Sequence, residues 1–449
     1  METPILDDIL VRLRAALERD DLAAAADIIE AMRPPDQADV FTELDDEDQA
    51  ALLPELDPAD MANILEEMDE EEAAELVEAL PTEAIIRIVD EMEPDEAADL
   101  LGDIHPTRAQ EVLAGLEDPD EVRPLLLHPD DSAGGLMTSE FLALRRRMTA
   151  AEAIQALREW QPEAESIYYL FVVDRYGKLS GVVSLRQLVV ADPATPLAEI
   201  MDTEVISVLA GTDQEECAHL MTRYDLLALP VVDADGVLLG IITIDDVVDV
   251  LEEEATEDIQ RLGGAQPLGR SYLETGIFTV ARKRVGWLLL LFVTESLTGT
   301  VLRHFEDELQ AAVALAFFVP MLIGTGGNAG SQTTSTIIRA LAVCDMDFSD
   351  GLRALGHELR AGLLLGLGMA GIAYARALTW GTTSALALTV SLAILTIVIW
   401  ANCLGALLPL LAARLRIDPT VVSGPVMSTM VDATGLFIYF TIARVILGL

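Results

Sequence analysis

The residue whose type and setting most plainly imply chemistry is Asp432. It stands near the middle of an apolar run, 424–447, that is long enough to cross a bilayer. A carboxylate at that depth costs at least about 2.5 kcal/mol on insertion scales, so it ordinarily faces a partner or a water-filled path. Around it lie Ser423, Gly424, Pro425, Ser428, Thr429, Thr434 and Gly435. Small residues let backbones approach, Pro425 frees a carbonyl, and the hydroxyls are oxygen donors. A carboxylate among neutral oxygens suits a hard divalent cation such as Mg2+. The competing reading is a simple hydrogen bond from Asp432 to a neighbouring helix.

A second set of acids lies well before it. Residues 245–258 hold eight Asp and Glu within fourteen positions. Asp246, Asp249, Glu253 and Glu257 form one stripe at i, i+3/i+4 spacing, and Glu254, Glu257 and Asp258 crowd the far end. Like charges at that spacing destabilise a helix, so such a helix calls for counter-cations or full solvation. Further upstream Asp95 and Asp99 share a helix face, with Glu91 close by in sequence, and are cation candidates on the same grounds. In the run Pro320–Ser335 the polar pair Asn328 and Gln332, among many glycines, implies close helix packing or a hydrated lumen. Glu295 and Asn402 are polar residues within apolar runs and read as structural. Asp418 sits just ahead of Pro419 at the mouth of the last run.

The elements that must position these residues follow from composition and repeats. Net charge is −48 while the mean hydropathy is +0.37. The contradiction disappears when the chain is cut near Ala281: before it stand 17 Lys and Arg against 66 Asp and Glu, after it 11 against 10. Strong acidity argues against nucleic acid and fits cation binding. Cys217, Cys344 and Cys403 form no metal-spaced set, which a reducing compartment or indifferent thiols would explain. The first residues carry neither a basic start nor an apolar core, so no signal peptide is expected.

Over 1–130, apolar residues recur every 12 positions at Leu44, Leu56, Met68, Leu80, Met92, Ile104 and Leu116. Short helices started by Pro, Asp or Thr explain the pattern, stacked into a superhelical all-α array. Over 131–250 the sequence repeats at an offset of 59, pairing Asp174 with Asp233, Gly177 with Gly236 and Gly181 with Gly240. Each half reads as helix, strand, tight turn, strand and helix. Residues 251–281 connect: the acidic helix ends at Gly263-Gly264, and a second helix is expected over 265–281. Over 282–449, apolar segments near 285–302, 311–338, 359–378, 384–411 and 424–447 predict five spans. Basic residues favour a cytoplasmic N-terminus and an external C-terminus. An odd number of spans excludes a simple two-fold internal repeat and favours a pore between two copies of the chain.

The duplicated segment resembles a tandem pair of cystathionine-β-synthase-type (CBS) domains, an α/β module whose cleft in many members holds an adenosine nucleotide. Thr243 and Asp246 stand where such members hold ribose, so ATP is a candidate ligand. The run G-T-G-G-N-A-G-S-Q-T-T, the stretch D-P…S-G-P…T-M-V-D-A-T-G-L-F-I-Y-F and E-E-E-A-T-E-D-I-Q together resemble the MgtE family of magnesium channels. The order of N-domain, CBS pair, connecting helix and spans matches as well. The resemblance implies a multidomain homodimer in the bacterial inner membrane, with Asp432 of both copies and carbonyls around Gly424 and Ser428 holding a largely hydrated Mg2+, and Asn328 lining the path. It also implies closure by cytoplasmic Mg2+ on Asp246, Asp249, Glu254, Glu257, Asp258 and Asp418, with Asp213, Glu215 and Asp225 contributing from the second repeat.

Other classes fit less well. No Ser/His/Asp set, phosphate loop or His-rich cluster suggests an enzyme. A membrane-anchored adenosine-nucleotide sensor would account for the CBS pair but not for Asp432. Mn2+, Co2+ or Ni2+ as cargo is disfavoured by the lack of Cys and His at the path.

Overall fold

The computed structural model describes residues 3–160, 168–268, 272, 275–342, 346, 348–422 and 424–449. Cys344 and Ser423, named above, lie outside them. The chain divides into two compact units, Met1–Glu252 and Glu253–Leu449.

The first unit begins with helices α1 (Thr3–Leu17), α2 (Leu22–Ile29), α3 (Pro34–Thr42), α4 (Asp46–Leu52), α5 (Pro58–Glu66), α6 (Glu70–Glu78), α7 (Thr82–Val89), α8 (Pro94–Asp103), α9 (Pro106–Leu113) and α10 (Pro119–Val122). Pro34, Pro58, Pro94, Pro106 and Pro119 each occupy a first-turn position, where the missing N–H costs nothing and the fixed φ suits the helix. Each helix is too short to bury its apolar face alone. Within the array α3 packs on α5, α5 on α7 and α7 on α9, while α6 packs on α8 and α8 on α10. The 12-residue spacing thus marks single helices, and successive helices alternate between two rows. The spaced residues Leu44, Leu56, Leu80, Ile104 and Leu116 are buried in the seam.

Many of the acids here have a structural task that the spacing alone does not reveal. Glu66 accepts from the backbone N–H of Glu93 at 2.9 Å, Glu78 from that of His105 at 3.0 Å, and Asp90 from that of Glu117 at 2.9 Å. These carboxylates recur every 12 residues, and each satisfies an amide at or beside the start of the third helix along. The unpaired first amides of a helix and its dipole both favour a carboxylate there.

The remainder of the first unit holds two equivalent three-stranded sheets, β1 (Ala143–Arg145), β2 (Tyr169–Val173) and β3 (Leu179–Ser184), then β4 (Val208–Leu209), β5 (Ala228–Val232) and β6 (Leu238–Thr243). In each, the first two strands are parallel and the last two antiparallel, with a register shift at the same place. Gly177 and Gly236 take φ of 81° and 82° in the hairpin turns, a conformation that favours glycine. Asp174 and Asp233 fix those turns by accepting from amides two and four residues on. The short leading strands β1 and β4 were not expected from the sequence. The helices of this segment are α11 (Ala150–Trp160), α12 (Leu185–Val190), α13 (Leu197–Ile200), α14 (Gln214–Tyr224) and α15 (Ile244–Leu262).

α15 ends at the predicted glycines, with Gly264 at φ 74°. Among the described residues of 265–281, no helix forms before Ile277. Residues 265–268 are irregular, and the next helix, α16 (Ile277–His304), takes Arg282, Lys283 and Arg284 inside itself. Residues 269–271 and 273–274 lie outside the described part. After α16 come α17 (Glu306–Ala311), α18 (Val319–Ala342), α19 (Gly351–Thr379), α20 (Ser384–Arg414) and α21 (Gly424–Leu447). Among the described residues five helices are long and apolar enough to cross a membrane, namely α16, α18 with the turn before it, α19, α20 and α21. α18 packs on α20 and α21, α19 on α20, and α16 on α21. Where α18 crosses α20, a Cβ on Gly405 would stand 2.7 Å from the Gly330 carbonyl, so only glycine allows the approach.

Candidate functional site

Two clusters of oxygen donors emerge, one in each unit. In the second unit, Gly424, Ser428 and Asp432 lie at i, i+4 and i+8 on one face of α21. The Ser331 hydroxyl of α18 donates to the Gly424 carbonyl at 3.2 Å and stands 3.5 Å from the Ser428 hydroxyl. A Cβ on Gly327 would lie 3.0 Å from Ser428 Oγ, so the glycines of α18 bring its backbone against this face. Asp432 is half-buried, and Glu295 of α16 is near enough to interact with its charge. Asn328 and Gln332 are exposed. Ser331, not singled out in the sequence, is the hydroxyl that ties α18 to α21. Its signal was its place one residue before Gln332 on the glycine face.

At the start of that seam Asp418 accepts from the Thr420 amide at 2.8 Å, the Thr420 hydroxyl at 2.6 Å and Arg261 Nη1 at 2.6 Å. Arg261 also pairs with Glu257 one turn earlier on α15. A guanidinium therefore bridges two of the predicted acids. Asp258 is close by. Burial first, then the charges of Asp418 and Glu254, raise its carboxyl above the usual range.

In the first unit Asp95 and Asp99 lie near enough to Asp246 for their charges to interact, and Glu96 joins them. Burial, then the charge of Asp246, push Asp95 well above the usual carboxylate range. Burial with Asp95 and Asp99 beside it pushes Glu96 up to about 9, and burial with Glu70 and Asp130 pushes Asp99 up to about 8. Asp246 is also raised by burial, against hydrogen bonds from the Thr243 amide and hydroxyl at 3.1 and 2.5 Å. Asp95 Oδ1 is buried without a hydrogen-bond partner. Buried, crowded carboxylates with an orphaned oxygen are the donor set a hard cation would take. Asp249, raised by burial, faces Glu67 instead.

The other candidates stand apart. Glu91 is exposed. Asp213 caps α14 by accepting from the Glu215 amide at 3.0 Å, and Glu215 lies 3.5 Å from His219. Asp225 ends the same helix in the left-handed region at φ 52°, a conformation Asp tolerates. Among the described residues, no three His, Cys, Asp or Glu side chains converge closely enough to hold a metal ion directly.

A five-helix membrane-type unit with a carboxylate-bearing polar seam, together with a helical array and paired α/β modules, defines a class: a multidomain membrane transporter. Comparison with known proteins gives the particular family. Residues 319–442 match the MgtE profile, described as a divalent cation transporter. Residues 32–131 match the MgtE intracellular N domain, and 133–193 and 197–253 match CBS domains. The magnesium transporter MgtE of Thermus thermophilus is 48% identical over 327 residues, covering 73% of this chain and 72% of that protein. That of Enterococcus faecalis is 37% identical over 328 residues, with coverage of 73% and 72%. The crystal structure of the cytosolic domain of the Mg2+ channel MgtE in complex with ATP is similar at TM-score 0.51 and 42% identity, covering 54% of this chain and 99% of that one. The chain belongs to the MgtE family.

Proposed function

We propose that the chain is a magnesium channel of the bacterial plasma membrane, a homodimer with its N-terminus cytoplasmic and its C-terminus external. The observation that carries the reading is the seam of Gly424, Ser428 and Asp432 against Ser331, in a chain 48% identical to a magnesium transporter. Mg2+ sheds its waters reluctantly, so the cargo would pass largely hydrated, held through water by Asp432 and by carbonyls near Gly424 and Ser428. Asn328 and Gln332, exposed in the single chain, would then line the path. The domains would run 1–130, 131–250, 251–281 and 282–449, the last surrounded by lipid.

The regulatory cation would be held by Asp95, Asp99 and Asp246 with Glu96, and by Asp249, Glu254, Glu257, Asp258 and Asp418 around α15, with Asp213, Glu215 and Asp225 as outlying contributors. When bound, Mg2+ supplies the positive charge that lets these carboxylates stay ionised and close together. Without it they either hold protons or repel one another, and the repulsion separates the elements that carry them. Arg261, pairing Glu257 with Asp418, keeps the end of α15 seated at the mouth of α21. ATP, bound by the cytosolic domain of the related channel, would use Thr243 and Asp246 at the second module.

The test is Mg2+ flux into liposomes carrying purified protein. Wild type should conduct at low internal Mg2+, and Asp432→Ala and Asp432→Asn should each lose flux by about tenfold or more, the equivalent of about 1.4 kcal/mol. Undiminished flux in both variants would move the path away from α21.

A further inference from the structure

The ends of four spanning helices enclose a cavity that none of the chemistry above uses. Its volume is about 1000 Å3, at the upper end of the range for ligand pockets. Ala314, Ala316 and Phe317 line it from the turn before α18, Leu386 from the start of α20 and Leu447 from the end of α21. Trp380, the residue that closes α19, lines it as well. The turn from α19 to α20 passes along the same space through Gly381 at φ 75°, a conformation that favours glycine.

The cavity asks for an apolar occupant. The two threonine hydroxyls in its lining are already engaged with backbone: Thr382 donates to the Ala377 carbonyl at 2.8 Å, and Thr383 accepts from the Leu386 amide at 3.3 Å. The charge beside it is of one sign. Two guanidiniums stand in the last turns of the helices that end there, Arg376 on α19 and Arg444 on α21. Arg444 pairs with Glu308 and is neutralised by it. Arg376 lies over the Trp380 ring, 4.8 Å from its centre. Among the described residues no carboxylate stands within ion-pairing distance of it. Trp gathers at membrane interfaces, and a guanidinium matches phosphate with paired donors. An apolar cavity beside an uncompensated cation at the end of the spans therefore fits an amphiphile whose polar end is anionic.

We propose that this cavity is a binding site for an anionic phospholipid, with an acyl chain among Phe317, Leu386 and Leu447 and the phosphate on Arg376. The binding is non-covalent. The chain removes the apolar lining from contact with water, and the phosphate supplies the partner that Arg376 lacks. Because the occupant touches both the start of α18 and the end of α21, it fastens together the two helices that form the polar seam. The side of the membrane on which the site lies, the external one, rests on the topology proposed above. Lipid binding itself does not require the chain to be a Mg2+ channel.

The test is native mass spectrometry of the full chain in detergent, titrated with phosphatidylglycerol or with phosphatidylcholine of the same acyl chains. Phosphatidylcholine carries its own cation and gains less from Arg376. Wild type should hold phosphatidylglycerol about tenfold more tightly, the difference that one charge-assisted hydrogen bond supplies. Arg376→Gln should bring phosphatidylglycerol down to the level of phosphatidylcholine and leave the latter unchanged. Ala316→Phe, an exposed position in the lining, should weaken both lipids by filling the space. Should Ala316→Phe fail to fold, the comparison of wild type with Arg376→Gln decides alone. Equal retention of the two lipids by wild type, or a preference that survives Arg376→Gln, would overturn the site. So would Ala316→Phe falling to a smaller oligomer with its lipid binding intact, which would assign the cavity to a second copy of the chain. Mg2+ flux into liposomes keeps the two readings apart: lipid preference without flux leaves the site standing and removes the channel, and flux without preference does the reverse.

Discussion

At the scale of single residues, the carboxyls of Asp95, Glu96 and Asp99 bind protons more tightly than they would in an open chain. Their folded values are raised, to about 9 for Glu96 and about 8 for Asp99, above unfolded values near 4. Between those limits the folded state holds more protons than the unfolded one. The stability linked to them is fully present below about pH 4 and is lost as pH rises through about 8 to 9, by up to about 1.4 kcal/mol per pH unit for each group. In divalent-free buffer, the thermal midpoint of the purified chain should fall between about pH 5 and about pH 8. The double variant Glu96→Gln with Asp99→Asn should flatten that fall. Added Mg2+ should raise the midpoint more at the alkaline end, because it competes with protons for the same oxygens. Scanning calorimetry of both proteins checks this, and equal slopes would exclude these two carboxyls as the source.

At the scale of elements, glycine placement determines how the spanning helices meet. Gly405 has no room for a Cβ, since one would stand 2.7 Å from the Gly330 carbonyl and 3.1 Å from Thr333 Cβ, whereas a Cβ on Gly371 of α19 would meet nothing within 4 Å. Gly405→Ala should therefore cost about 1–3 kcal/mol by overpacking. Gly371→Ala should be neutral or stabilise by up to about 1 kcal/mol through helix propensity. Thermal midpoints of the two variants in detergent distinguish these outcomes. The elements themselves were legible in sequence wherever a period carried them: the 12-residue recurrence from Leu44 to Leu116, the offset of 59 linking Gly177 to Gly236, and apolar runs long enough to span. What depends on contacts between distant residues was not legible. Nothing near Glu78 announces that it will accept from His105, and nothing near Arg261 announces that Asp418 will receive it across more than a hundred residues. Glu96 was passed over because helical spacing pairs Asp95 with Asp99, whereas burial on α8 depends on what packs against it.

At the scale of the whole molecule, composition already separates the work: nearly all the excess negative charge precedes Ala281, and the five long apolar helices follow it. In the proposed channel this charge acts as a switch, opposing a compact state until cations compensate it. Neutralising Asp249, Glu254 and Asp258 together removes charge from α15 without touching Asp432. That triple variant should continue to conduct at internal Mg2+ levels that close the wild type, with its flux at low Mg2+ unchanged. Liposome flux titrated against internal Mg2+ measures both, and normal closure would show that these acids do not report the cation.

The carboxylate caps of the N-terminal array have one more implication. From α5 to α7 each helix packs on the second one after it, while the acid at its end reaches the third, so neighbours in sequence belong to opposite rows. Removing one 12-residue unit would leave every later helix able to stack and be capped, yet would transfer all of them to the other row. Whatever follows the array would then leave from its opposite side. Removing two units would restore the original side. The array therefore has a parity, and changes in its length that preserve the placement of the following modules come in pairs of helices.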